Sequence, residues 1–481
     1  MADGSPSGRA DRARWSVTVL AFVSAAYFLP GATWSPVSRF CLTRAIVERR
    51  SLEITPFAAS TGDRAEVSGR FYTDKAPVPS LLAVPPYAAF YVVAKARHRL
   101  PAFRAEGTPD APAQHVVPSP AFRNGLYAST VLTAGVAFAG LAWALFGVLL
   151  RRVSREAAAL GTAATLLGTP LFPYATSLFD HTIAAALLFG AFALLDPLAE
   201  HDRRPWWPTA AGALLGLSVG TEYIAAVPAA ILAAFAVVAM QGRPRTAVLS
   251  RLLLGAAGPL ALLASYHLAC FGSPFRTGYS FVTHPAFAHG QSSGFFGITW
   301  PRLSPLAGLL LGRSRGLFYV SPLALIGVVQ GAREWRRARD PALLLGALVL
   351  SSLLLISASY YLWDGGRALG PRHLVPGLGF VGIGIGYAFE RWRVVAASLA
   401  GASIAVMVLG TAVGIEAPRD TDVIFSYVIP AIREGSIARA PGASSWGLLL
   451  GLSHQQSLAP IALIVLGGFV AAARLSGERA S

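Results

Sequence analysis

Residues 60–83 read STGDRAEVSGRFYTDKAPVPSLLA and carry two aspartates, Asp63 and Asp74, among glycines and prolines. Lys75 follows directly and is one of two lysines in the chain, the other being Lys95. On both sides of this polar knot the sequence turns apolar, in runs that read as membrane spans. The expected fold is therefore an all-α, polytopic frame of transmembrane helices that holds the knot at one face of a bilayer.

The composition supports that frame. Of 481 residues, 54% are hydrophobic and 13% charged, with a mean hydropathy of +0.54. Soluble domains carry about 25% charge. Apolar runs long enough to cross recur from end to end, which excludes a string of soluble domains. The net charge is +16. Its basic clusters lie in short segments between apolar runs, as span orientation requires, and no basic face or nucleic-acid motif appears. Two cysteines, Cys41 and Cys270, cannot build a disulfide framework or a metal cage, and read as small buried residues.

Residues 1–14 hold Arg9, Arg12 and Arg14 before the first apolar run and read as a cytoplasmic N-terminus. No A-x-A-like cleavage site follows, so 15–31 is an uncleaved first span. A large outer loop covers 33–124. Within it, 37–50 has apolar residues at helical spacing and Arg39, Arg44, Arg49 and Arg50 on the other face, which suits a helix lying on the membrane surface. Residues 79–96 are apolar but hold Pro79, Pro85 and Pro86. If they crossed, Arg151, Arg152 and the later basic turns would fall outside. A re-entrant or juxtamembrane reading keeps those turns inside.

Further spans are expected at 126–150, 157–174, 183–198, 209–221, 223–240, 252–271, 317–331, 342–362, 374–389, 394–415 and 461–473. With the first they make about a dozen. Turns 151–156, 200–208, 241–251, 332–340 and 390–393 each carry arginine and fall inside. The core then spans 15–415, an outer loop covers 416–458, and 459–481 returns the C-terminus to the cytoplasm. No internal repeat is visible, which weighs against a transporter built on inverted halves.

Acidic residues number 24, so each carries weight. Asp63, Asp74, Asp180 and Asp364 all fall on the outer side, from three loops. A carboxylate there can deprotonate a hydroxyl, and a pair such as Asp63 and Asp180 can hold a divalent cation. The same residues would otherwise be solvated loop acids. Lys75 can meet a phosphate leaving group, or form a local pair with Asp74. Trp363-Asp364-Gly365-Gly366-Arg367 and Gly370-Pro371-Arg372-His373 form a second knot, whose arginines offer forked donors for phosphate or anchor the spans at the interface. Asp180 before His181 can cap a helix, or support a metal or acceptor. Glu222, between two apolar runs, is a functional suspect or part of a tight turn. Tyr72 and Arg276 are further candidates for lining a substrate.

These motifs, in this order, resemble the GT-C superfamily of membrane glycosyltransferases, including protein O-mannosyltransferase-like and aminoarabinose-transferase-like bacterial enzymes. The residues that carry the resemblance are Arg39 and the helix after it, Gly62-Asp63-Arg64, the run from Gly69 to Pro77, and Asp180-His181. So are Phe271-Gly272-Ser273-Pro274, Arg315-Gly316-Leu317-Phe318 with Ser321-Pro322, and Gly365-Gly366 to Arg372. The resemblance implies an inverting transfer from a sugar on a polyprenyl phosphate to a hydroxyl of a glycan, lipid or protein, outside the cytoplasm at the bacterial inner membrane. It implies a base in the first outer loop: Asp63, with Asp74 in reserve. The place soon after the first span where the family keeps an acid reads Trp34-Ser35-Pro36-Val37-Ser38-Arg39. Lys75, Arg367, Arg372 and His373 would meet the phosphate. A divalent cation is open as a cofactor, and no nucleotide-binding G-x-G-x-x-G appears, which fits a lipid donor. Two other readings stand beside this one: a transporter or lipid flippase, and an inactive relative.

Overall fold

The computed structural model describes residues 6–105, 116–198, 206–239 and 244–476. Residues 1–5, 199–205, 240–243 and 477–481, which hold parts of the expected N-terminus, two arginine turns and the C-terminal tail, lie outside these. Each apolar stretch expected to span is mainly helical among the described residues, although the first ends in the short strand Phe28–Leu29. Among the described residues, five helices are long and apolar enough to cross a membrane: Pro120–Leu150, Arg245–Phe271, Pro341–Ser359, Arg393–Val413 and Leu458–Ser476. The remaining stretches form shorter or less apolar helices.

Two helices cross at very close range. Trp207–Thr221 carries Gly212 and Gly216, and Arg245–Phe271 carries Gly255. A Cβ on Gly212 would lie 2.1 Å from the Leu252 carbonyl oxygen, and one on Gly255 only 1.8 Å from that of Thr209. Small residues permit such approach where apolar burial against lipid drives little. Gly255→Val is expected to abolish a monodisperse peak in size-exclusion chromatography, whereas Gly258→Val, whose Cβ meets nothing within 4 Å, leaves it intact. Equal behaviour of the two variants would refute the close crossing.

Three of the arginine turns, 151–156, 332–340 and 390–393, meet at one end of the bundle. Arg152 donates to Asp196 (2.7 and 2.8 Å) and to Asp340 (2.6 Å), and Arg151 joins through Asp196 (2.7 Å). Arg393 pairs with Glu156, and Glu390 accepts from Ser154. The acidic loops gather at the opposite end.

The first outer loop departs from the all-α expectation. Arg64–Val67 and Arg70–Thr73 form an antiparallel hairpin. Its two-residue turn is Ser68-Gly69, both at positive φ (52° and 76°), the turn that matches strand twist. The alternation of RAEV and RFYT about Ser-Gly is the signal for it. Two further ribbons pair Phe103–Ala105 with Val116–Pro118, and Phe28–Leu29 with Ser444–Ser445.

The helix Trp34–Arg49 is present, but it is not a surface helix with all four arginines outward. Residues 35–45 are buried, Arg39 and Arg44 among them; only Arg49 and Arg50 are exposed. Arg44 is held by Glu48 (2.6 Å) and lies over the ring of Phe57. The apolar residues 79–96 form two helices, Val78–Leu82 and Val84–Ala96. The 13 residues of the second extend about 20 Å, short of a hydrocarbon core of about 30 Å. That length suits the re-entrant or juxtamembrane reading. Tyr87 anchors this helix, edge-on to Phe40 and hydrogen-bonded to Glu48 (2.5 Å).

Candidate functional site

The hairpin register explains why residues 60–83 matter. Arg64 pairs with Thr73, so Asp63 and Asp74 flank the open end of the ribbon, one on each strand. Carboxylates so close repel each other. Lys75 resolves the conflict: its Nζ lies 3.0 Å from Asp63 Oδ2 and 2.9 Å from Asp74 Oδ2. Ser38 tightens the open end, bonding the Asp63 carbonyl (2.5 Å) and the Thr73 hydroxyl (2.7 Å). Gly278 presses from the other side; a Cβ there would stand 2.6 Å from Asp74 Cα.

Burial pushes the Asp74 carboxyl up to about 6, against the lowering influence of Lys75. Burial alone would lower the Lys75 ammonium, but Asp63 and Asp74 raise it well above its usual value. Asp74 and Lys75 are coupled, and Asp74 loses its charge as the pH falls through about 6. Lys75→Gln removes a lowering influence and is expected to move that titration to higher pH, as read from the Asp74 carboxyl signal by nuclear magnetic resonance. A titration unmoved by Lys75→Gln would contradict the coupling.

A second group sits beside the first. Asp180 occupies the N-cap of His181–Leu195, but its side chain makes no capping bond. It accepts instead from Arg39 in a buried ion pair. Burial would raise the Asp180 carboxyl; Arg39, and then His181, bring it well below the usual range. His181 Nδ1 lies 3.4 Å from Asp180 Oδ1 and 3.1 Å from Glu222 Oε1. Glu222 is buried at the extended break after Trp207–Thr221. The break thus lies at the same end as Asp63, not in the middle of the bundle. The His181 ring faces His373 (centroids 5.9 Å), which stands against Tyr360 (5.8 Å). Burial first, and Arg372 next, hold the His373 imidazole well below its ordinary value. Ser38 bonds the hairpin and Arg39, the next residue, binds Asp180, so the two groups belong to one site.

The second sequence knot divides. Arg372 lies over the Phe179 ring (5.7 Å), with a buried Nε that has no hydrogen-bond partner. Arg367 is exposed and lines a cavity of about 260 Å³ with Thr33, Thr176, Glu416, Tyr427 and Arg439. Asp364 has a scaffold role: it accepts from the Gly366 amide (3.0 Å) and from Arg419 (2.6 Å). The buried Arg315 binds the carbonyls of Asp364 (3.1 Å) and Gly366 (2.7 Å). Gly365, Gly366 and Gly370 all have positive φ, which this tight path needs.

Two candidates lie apart from the cluster. Tyr72 packs edge-on to Phe271 (6.0 Å). Arg276 is exposed beyond the end of Arg245–Phe271. Asp63 is paired with Lys75, and Asp180 with Arg39. The acid–histidine group whose donor atoms converge, within 4.8 Å, is Asp180, His181 and Glu222. Arg39 was missed as a site residue because its spacing put it on the polar face of the helix. Its position opposite the apolar stripe gave no sign that a second layer covers that face.

No protein-family model matches this chain, and no curated protein matches it. Solved structures do. ArnT from Cupriavidus metallidurans bound to undecaprenyl phosphate matches with a TM-score of 0.52 at 15% identity, covering 98% of this chain and 77% of that one. The same protein in the apo state matches at 0.50 and 17%, covering 95% and 74%. The chain thus shares the fold of that protein over nearly its whole length.

Proposed function

We propose that this chain with the GT-C fold is a membrane glycosyltransferase that moves a sugar from a polyprenyl-phosphate donor to a hydroxyl acceptor, with inversion. It would act on the extracytoplasmic face of the bacterial inner membrane, about a dozen spans holding both termini in the cytoplasm. The acceptor would be a glycan, lipid or protein. The observation that carries the reading is Lys75 shared by two buried carboxylates, at the end of the bundle opposite the arginine turns.

The chemistry follows from that arrangement. Asp63 is the more open of the two acids, its side chain 10% exposed against 3% for Asp74. As base it takes the proton of the acceptor hydroxyl. The oxygen then attacks the anomeric carbon from the face opposite the phosphate. The C–O bond to phosphate breaks with its electron pair, and the departing dianion meets Lys75 and Arg372. Asp74 holds the ammonium in position. Arg367 meets an anionic part of donor or acceptor in the cavity.

The test uses the full chain in proteoliposomes with radiolabelled polyprenyl-phosphate sugars. Lys75→Gln is expected to lower transfer by about 10²-fold, the order seen for a lost charge-stabilising donor. A variant that turns over like the wild type would overturn the role. The transporter reading has less support: Glu222, its main candidate, is engaged with His181 at the bundle's end.

A further inference from the structure

We propose that the open cavity between residues 279–282 and 288–296 is a subsite for a neutral glycan, and that the acceptor hydroxyl belongs to a sugar. That the glycan is the acceptor rests on the glycosyltransferase reading; that one binds here does not. The cavity measures about 330 Å³, near the small end of ligand pockets at about 300–1,000 Å³. Tyr279, Ser280, Gln291, Ser292, Phe295 and Phe296 line it. Among the described residues, no charged side chain does.

The cavity borders the hairpin that carries the two aspartates. Gly278 presses on Asp74, so Tyr279 and Ser280 begin beside that residue. Val282 bridges to Ala65, and the Thr283 amide donates to the Arg64 carbonyl (3.3 Å), so the same wall runs along the strand that follows Asp63. The other wall is clamped to a different segment. Gln291 donates to the Tyr360 hydroxyl (2.7 Å), and the Tyr361 amide donates to the Gly297 carbonyl (2.9 Å). A Cβ on Gly290 would meet the Tyr361 ring at 2.1 Å. A ligand between these walls lies next to the end of the hairpin where Asp63 and Asp74 sit.

The lining has the chemistry of a sugar site. A sugar ring has a face of C–H groups and a rim of hydroxyls, each both donor and acceptor. Aromatic rings cover the first, and hydroxyl and amide groups pair with the second. Phe295 and Phe296 meet edge to face (4.9 Å), and Phe295 is 74% exposed, so this pair is not core. Phe296 sits in a two-residue turn closed by Phe295 and Ile298, which exchange backbone hydrogen bonds at 3.0 Å. Its φ is 50°, where asparagine or glycine is usual, and such strain gathers at ligand sites. Gln291 supplies the polar half: its Oε1 is buried and has no hydrogen-bond partner. An unpaired buried amide oxygen is costly, and a ligand hydroxyl, met by a small turn of the amide, would satisfy it. A phosphate or carboxylate finds no cation in this lining, and an acyl chain would leave the amide unpaired.

The experiment measures binding rather than transfer, by saturation-transfer difference nuclear magnetic resonance on the full chain in nanodiscs. The probes are neutral trisaccharides of glucose, mannose, galactose and N-acetylglucosamine, with trigalacturonate as the anionic counterpart. At least one neutral trisaccharide should bind, its ring C–H protons the most strongly saturated, and trigalacturonate should not. Gln291→Ala and Phe295→Ala should each weaken that binding by about 10-fold, the order of one lost ligand contact. Phe295 is open enough that its truncation leaves the fold intact. Phe275→Ala removes a side chain that is 87% exposed and outside the cavity, and should change nothing. No binding by any neutral trisaccharide, equal binding by trigalacturonate, or undiminished binding in both cavity variants would overturn the subsite. Glycan binding with no transfer by the wild type would support the subsite and count against the glycosyltransferase reading alone. Transfer to a serine peptide with no glycan binding would overturn the subsite and leave that reading standing.

Discussion

Asp63→Asn is expected to cut transfer from a polyprenyl-phosphate sugar by about 10²–10⁴-fold, the usual worth of a positioned general base. Asparagine matches the size of the aspartate and can still face Lys75, but it cannot accept a proton. The loss should therefore fall on turnover, with little change in the amount of folded protein. Asp74→Asn should also be impaired, through a different route: the ammonium loses one of its two anchors at 2.9 and 3.0 Å. Asp364→Asn is the useful contrast. Its carboxyl is committed to Arg419 and to a loop amide, so the effect should be on stability more than on rate. Unchanged transfer in both Asp63→Asn and Asp74→Asn would end the assignment.

The second large effect is structural. Arg39→Met leaves the Asp180 carboxylate buried with its strongest partner gone. The two side chains are 2% and 10% exposed, and breaking such a pair costs about 3–5 kcal/mol. That is a large share of a typical stability of about 5–15 kcal/mol. Folded yield and thermal midpoint should fall sharply, and Arg39→Met with Asp180→Leu should recover part of the loss. The sign with pH is definite. In the wild type, Asp180 is held below its ordinary value, so the pair contributes fully above about pH 4 and is lost only as pH falls through the lower folded value. In Arg39→Met, burial would instead raise that carboxyl, so the deficit should shrink as the pH is lowered toward 4. A deficit constant from pH 8 to pH 4.5 would show that Asp180 is not its source.

The apolar runs were legible because hydropathy and length are local properties; among the described residues, most of each expected span from 126–150 onward lies on helix. The Asp63, Asp74 and Lys75 knot was legible because polar residues are scarce here. What joins it was not. The hairpin depends on Ser68-Gly69 taking positive φ, a signal two residues long inside a loop that otherwise read as irregular. Arg39 required knowing that the helix Trp34–Arg49 is covered on both faces. The pairing of His181 with Glu222 joins residues 41 positions apart, which no spacing rule connects. Asp364 and Arg367 sit in one motif yet serve different ends, because glycines at positive φ redirect the chain between and after them.

The seam between the chain's two ends has a consequence for biogenesis. Phe28–Leu29 pairs with Ser444–Ser445, Tyr27 bonds to Ser457 and Gly447, and Gly468 packs directly on Leu20. The cavity that holds Arg367 is walled by residues 28–33 at one end and 438–444 at the other. The chamber therefore cannot close until residues 438–444 have been made and have met residues 28–33. A chain released before them would carry the Asp63, Asp74 and Lys75 group and yet have no enclosed place for a ligand beside it.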